Sequence, residues 1–556
     1  MPVLRGLQMV ASRYSRLLAL DGVKAASALQ RHGTDVCESF KPPGLGAAPG
    51  AAPGAAPGAA FDPSSSPSSP SSSPSSSPSS TPPPLTPSQL SAQRSHQASL
   101  PLPSFTASPL PSSRLSRTST FSGLAFSLLS AGSSSARADA LTGYLCRLRG
   151  GALKLGQMLS IQEDSLLPQE WVRALERVRK AADVMPREEV RRLLEATYGP
   201  GYEALLPEPG VASSLPEPAP DPGLSPASLL PKLPLRKLEA EPLAAASIGQ
   251  VHKVEFEDGT WGVAKLQYPG IKDAIDSDLG NLQTVISYTN LIPKGVFIND
   301  IITEGRKELS NECDYRSELR SQSRFHALVA GDRELPSLGF TVPRVAPHLS
   351  TAQVLVSEFA FGYTIDRCAD LPGEVRDRIA KGVLRTTLLE LFVWRFMQTD
   401  PNWGNFIYDP TTERVALIDF GGARDFDKGF VDGYREIVWA AANGDEKTLM
   451  DKSIEMKFLT GAENQIMLDA HLQAGLILGE PFRSAEPYDF RGSNITSRIG
   501  EQAKVFTEHR LQAPPMEVYT LHRKLAGAFL LAIKLGAKID CRSLLEEVYE
   551  ESRKSA

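Results

Sequence analysis

A two-lobed α+β body with an N-terminal helical extension is the fold class that the sequence predicts, and three observations predict it. Short β-type runs cluster after Leu235 with one long helical segment among them. The chain then turns mostly helical to its C-terminus. A separate helical stretch lies upstream, between two proline-rich tracts. The 43 glycines and 44 prolines of the 556-residue chain are concentrated rather than spread, which leaves ample sequence for a sizeable core. With 59 basic and 64 acidic residues the net charge is −5, so no overall basic field draws the chain to nucleic acid. Cys37, Cys146, Cys313, Cys368 and Cys541 lie far apart, which argues against a disulfide scaffold or a zinc-finger site.

The elements follow in order. Residues 1–35 read as a mitochondrial transit peptide: Arg5, Arg13, Arg16, Lys24 and Arg31 face a single acid, Asp21, and Leu4, Leu7, Val10, Tyr14 and Leu17 recur at helical spacing. Residues 36–120 read as a disordered Pro/Ser/Gly/Ala-rich linker. Within it 23 of the 30 residues from Phe61 to Leu90 are Ser or Pro, and such composition buries too little apolar area to offset the entropy of ordering. Residues 121–206 form a helical extension, with Leu141, Leu145, Leu148, Trp171, Leu175, Val178, Val190 and Leu194 in helical register. Its first segment, Phe121 to Gly132, is too short and serine-laden to span a bilayer. A Pro-rich tether follows at 207–236. Residues 237–365 and 366–556 are the two lobes, the first opening on a hairpin turned through Glu257-Asp258-Gly259. A single helix is expected from Ile298 to Leu328 and another from Val375 to Met397.

Four pieces carry the chemistry. The strand Val263-Ala264-Lys265 ends on a lysine. Downstream, Asp400 is followed five positions later by Asn405, and Asp419-Phe420-Gly421 comes fourteen residues after that, at the end of an apolar strand. Each is weak alone, since a strand lysine is most often a solvated edge residue. Their joint order and spacing repeat the protein-kinase arrangement of anchoring Lys, catalytic Asp, metal-binding Asn and metal-binding Asp. Before the first hairpin, Ala244-Ala245-Ala246-Ser247-Ile248-Gly249-Gln250-Val251 stands where a Gly-rich phosphate loop is expected, with alanine at two glycine positions. Val354 to Phe359 looks like the kinase hinge, so Ser357, Glu358 and Phe359 are candidates for reading a base. The residues Gln398-Thr399-Asp400 lack the usual arginine before the Asp, and no A-P-E follows Asp419, so the usual platform for a protein substrate is missing from the sequence.

With Lys154-Leu155-Gly156-Gln157, Lys265 to Gly270, Asn311-Glu312-Cys313-Asp314-Tyr315 and Gln398 to Phe406, these elements resemble those of the UbiB (aarF-domain) atypical kinases. The nearest branch is that of the mitochondrial coenzyme Q biosynthesis ATPases/kinases. The resemblance covers about Leu141 to Tyr549, the tether excepted. It implies an atypical protein-kinase-like fold acting with ATP and Mg²⁺ in ubiquinone biosynthesis, as an ATPase or a small-molecule or lipid kinase. Implied partners are quinone-biosynthesis enzymes or lipid quinone precursors, an inner-membrane lipid surface on the matrix face, and a second copy of the chain. A non-catalytic nucleotide-binding scaffold that organises quinone-biosynthesis enzymes, or a protein kinase acting in trans, is the alternative.

Lys265 would grip the nucleotide phosphates, Asn405 and Asp419 would hold Mg²⁺, and Asp400 would accept a hydroxyl proton. Glu308 and Glu312 share a helix face, and spacing does not choose which of them orients Lys265. The resemblance favours Glu312, with Glu318 second. It also places Lys154 and Gln157 over the active site.

Overall fold

A computed structural model describes residues 86–100, 114–148, 184–199, 224, 226–231, 233–246, 248–289, 302–303, 306, 309–400, 402–512 and 514–554. The transit-peptide reading, the Lys154/Gln157 motif, Ser247, Glu308 and most of the tether lie outside the described residues.

Four helices precede the sheet: α1 (Pro87–Ser99), α2 (Arg114–Ser130), α3 (Ser134–Leu148) and α4 (Arg187–Tyr198). The first corrects the linker reading of 36–120 at residues 87–99, while residues 36–85 of that stretch lie outside the described ones. Thr86 and Gln89 form a reciprocal capping box and Pro87 sits in the first turn, so a polar stretch ends in a well-started helix. Helix α2 buries Phe121, Leu124 and Leu128 and packs on α5 (Ile271–Thr289) and α3. Among the described residues no helix is long and apolar enough to cross a membrane. Tyr198 donates to the Leu349 carbonyl (2.6 Å) and Met185 N–H to buried Gln250 (2.6 Å), fastening the extension to the first lobe.

The first lobe is an antiparallel sheet of β1 (Leu235–Ala245), β2 (Gly249–Phe256), β3 (Trp261–Gln267) and β5 (Val354–Glu358), in that spatial order. Helix α6 (Tyr315–Gly331) packs against β5. The expected single helix from Ile298 to Leu328 is interrupted. A helical turn ends at Glu312, Cys313 turns, and the Asp314 carboxylate caps α6 by accepting the Arg316 N–H. An aspartate there competes for the backbone and restarts the helix in a new phase.

The second lobe has a small mixed sheet, β4 (Phe340–Thr341), β9 (Arg414–Leu417), β8 (Phe406–Asp409) and β6 (Tyr363–Thr364), and a ribbon of β7 (Phe396–Gln398) with β10 (Ala423–Asp425). The helix expected to reach Met397 is α7 (Gly373–Phe392), and Phe396–Gln398 is strand instead, because β10 offers it a ladder partner. Helices α8 (Lys428–Asn443), α9 (Glu446–Glu455), α10 (Gln465–Gly479), α11 (Ile495–Gly500), α12 (Ala503–His509), α13 (Met516–Leu535) and α14 (Cys541–Lys554) complete it. Two principal hydrophobic clusters, one around Val254, Leu266 and Tyr268 and the other around Phe420, Tyr434 and Phe529, correspond to the two lobes.

Candidate functional site

Between the lobes lies a cavity of about 490 Å³ that brings Lys265, Asp400, Asn405, Asp419, Ala244, Ala245, Ala246, Ser357, Glu358 and Phe359 onto one surface. That volume suits a nucleotide-sized ligand.

Lys265 stands on β3, and its Nζ donates to Glu318 Oε1 and Oε2 (2.8 and 3.1 Å) and to Asp419 Oδ1 (3.2 Å). The partner on the helical side is thus Glu318, not Glu312. The restart at Asp314 puts Glu318 in the first turn of α6, facing β3. Glu312 ends the preceding turn. It lines the same cavity, with its Cγ 3.3 Å from where a Cβ on Gly421 would stand. Burial alone would push Lys265 down, but Asp419 and Glu318 outweigh it and hold the ammonium well above its ordinary range. Burial pushes the Glu318 carboxyl up, to about 7, while Lys265 pulls it back.

The acidic side is built by two loops tied to one glutamine. Gln398 Oε1 accepts the Asp400 N–H (2.6 Å), and its Nε2 donates to the Asp419 carbonyl (3.1 Å). Asn405 Nδ2 donates to Asp400 Oδ2 (3.3 Å), and the Ile418 N–H donates to the Asn405 carbonyl (2.8 Å). Asp419 adopts φ +64°, a left-handed conformation that is costly for a non-glycine residue and is held here by the surrounding loops. In the sequence Gln398 stands out as the start of the Gln398–Phe406 motif and for the arginine missing beside it, not as a brace. Its bracing role needs an amide, which offers donor and acceptor at once.

The alanine loop is a tight turn: β1 pairs with β2 up to Ala245 and Gln250, and the Ala246 N–H donates to the Gly249 carbonyl (2.7 Å). Gly249 is glycine for clearance rather than for positive φ. A Cβ there would stand 2.4 Å from the Leu266 carbonyl oxygen and 2.5 Å from the Tyr315 hydroxyl.

At the other end, Ser357 pairs with Val263, and the Glu358 and Phe359 N–H groups donate to the Arg344 and Trp261 carbonyls. Glu358 accepts twice from the Arg344 guanidinium (3.0 and 3.3 Å). Amides 358 and 359 are spent within the protein and are not free to donate to a ligand. Gln97 and Leu100, from the segment read as linker, also line the cavity. The Thr-x-x-Gln capping pattern at Thr86 was the one signal in the sequence that could have flagged that helix.

Among known proteins, the model of the ABC1 atypical kinase-like domain matches residues 230–453. "Atypical kinase COQ8B, mitochondrial" of Rattus norvegicus is 41% identical over 462 residues, which cover 79% of this chain and 81% of that protein. "Atypical kinase COQ8, mitochondrial" of Saccharomyces cerevisiae is 35% identical over 74% of this chain and 76% of that protein. "Atypical kinase coq-8, mitochondrial" of Caenorhabditis elegans is 38% identical over 80% of this chain, which spans only 58% of the worm protein's length.

Proposed function

The chain belongs to the ABC1 atypical kinase family, and from that premise we propose that it transfers phosphoryl groups from ATP with Mg²⁺, as an ATPase or a small-molecule or lipid kinase. We further propose that it does so in the mitochondrion, in support of ubiquinone biosynthesis, in keeping with its relatives' names. The observation that carries the chemical reading is the meeting, in one cavity, of a glutamate-oriented lysine with the Asp400, Asn405 and Asp419 oxygens.

Lys265, kept charged by Asp419 and Glu318, would bind the nucleotide phosphates and fix their position. Asn405 and Asp419 offer the hard oxygen donors that suit Mg²⁺. Among the described residues no cluster of three His, Cys, Asp or Glu side chains could hold a metal. Two protein ligands fit an ion that shares its shell with water and phosphate. When bound, Mg²⁺ would neutralise phosphate charge. Asp400, aligned by Gln398 and Asn405, would take the acceptor's proton, a role worth about 10²–10⁴ in rate.

Asp419→Asn removes a hard anionic ligand. It should lower phosphate release from Mg²⁺-ATP by at least about 10² while the thermal transition persists. Undiminished release from a folded Asp419→Asn variant would favour the nucleotide-binding scaffold.

A further inference from the structure

Helix α1 lies more than a hundred residues ahead of the matched kinase-like domain, yet one run of its side chains touches both lobes and the segment joining them. Buried Gln93 donates through Nε2 to Asp409 Oδ2 (2.6 Å), at the end of β8 in the second lobe. Arg94 donates to the Gly259 carbonyl (2.5 Å) in the β2–β3 turn of the first lobe, and its guanidinium lies 5.3 Å from the Trp261 ring centroid. Gln97 Oε1 accepts the N–H of Gly362 (2.9 Å), just past the hinge strand. Gly362 is itself tightly held: it has φ +113°, and a Cβ would stand 1.9 Å from the Tyr408 carbonyl oxygen.

The helix has no apolar stripe to bury; its sequence is Pro-Ser-Gln-Leu-Ser-Ala-Gln-Arg-Ser-His-Gln-Ala-Ser. Its docking therefore rests on polar side chains aimed at specific backbone and carboxylate groups. An ordinary surface helix would be placed by hydrophobic contact. Gln97 and Leu100 then complete the cavity wall beside Phe359, Ala360 and Gly362.

We propose that α1 is part of the nucleotide site: a clasp that fixes the two lobes across the hinge and, through Gln97 and Leu100, walls the base end of the cavity. This rests on the reading that the cavity takes ATP. Because Gln97 occupies the Gly362 amide and Gln93 and Arg94 grip opposite lobes, losing the clasp lets the lobes part. The nucleotide then leaves faster. Nucleotide affinity should therefore depend on residues that a chain trimmed to the kinase-like domain does not contain.

The test uses the full chain and two variants, Gln93→Ala/Gln97→Ala and, as a control on the exposed side of the same helix, Ser95→Ala. MgADP and MgATP are titrated into each, and the KM for ATP is followed in parallel. The double variant loses two hydrogen bonds, so both nucleotides should bind it at least about fivefold more weakly, with KM rising alongside. Ser95→Ala should match the parent. Equal affinities in the double variant and the parent would overturn the clasp and leave the nucleotide reading standing. Tighter binding by the double variant would also overturn it, since the helix would then be a cover over the cavity. A parent chain that binds neither nucleotide would overturn both readings.

Discussion

Lys265 shows at a single residue how burial and charge are balanced. A largely buried ammonium is tolerable only beside opposite charge, and Glu318 and Asp419 supply it. The consequence for pH runs through Glu318, whose carboxyl sits at about 7 against an ordinary 4.5, chiefly because it is buried. Between those values the folded chain holds a proton that the unfolded chain has released. The stability this group contributes therefore falls as pH rises from about 4.5 to about 7, and the full cost of the buried charge is present above that. Catalysis should move the other way, because protonating Glu318 removes the group that orients Lys265. Turnover should decline as pH drops through about 7. Glu318→Gln should erase that acidic limb and run about 10²-fold slower at pH 8. A pH–rate profile of both proteins decides: an acidic limb that survives in Glu318→Gln would assign it to another group.

At the scale of elements, the β1–β2 turn shows why alanine and glycine are not interchangeable within five residues. Ala246 donates its N–H to Gly249, which keeps that amide inside the turn, while Gly249 is fixed by the backbone and the tyrosine packed against it. Opposite substitutions should therefore have opposite characters. Gly249→Ala pushes a methyl into the Leu266 carbonyl and Tyr315, and should destabilise the first lobe by about 1–3 kcal/mol. Ala246→Gly should cost at most about 1 kcal/mol. By letting the turn open toward phosphate it should shift nucleotide affinity by about tenfold, the worth of one charge-assisted hydrogen bond. Thermal melts and Mg²⁺-nucleotide titrations separate the two effects. ADP and ATP affinities in Ala246→Gly that both equal the parent's would mean that this turn is not a phosphate loop.

Across the whole molecule, what the sequence disclosed was local and what it hid was long-range. Lys265, Asp400, Asn405 and Asp419 could be picked out because their spacing reflects a strand end, a loop and a hairpin, each encoded within a few residues. The partner of Lys265 could not, since the helix restart at Asp314 shifts every later residue around the axis. Helix α1 was masked by the serine and proline composition around it. The support of the loop that carries Asp400 was equally hidden, because it comes from α13, more than a hundred residues downstream. There Arg523 donates to the Thr399 carbonyl (3.1 Å), Trp403 donates to the Gly527 carbonyl (3.1 Å), and Lys524 meets buried Glu390 of α7 at 3.0 Å. This helix thus braces the loop in a chain that lacks the A-P-E element, and the buried pair is its innermost tie. Removing either partner leaves the other charge stranded in the core. Lys524→Met or Glu390→Leu alone should each cost about 3–5 kcal/mol, whereas the double variant, with no charge to strand, should cost much less than their sum. Unfolding midpoints of the four proteins close the cycle. Additive losses would mean that the two residues do not depend on each other and that α13 supports the loop through its other contacts alone.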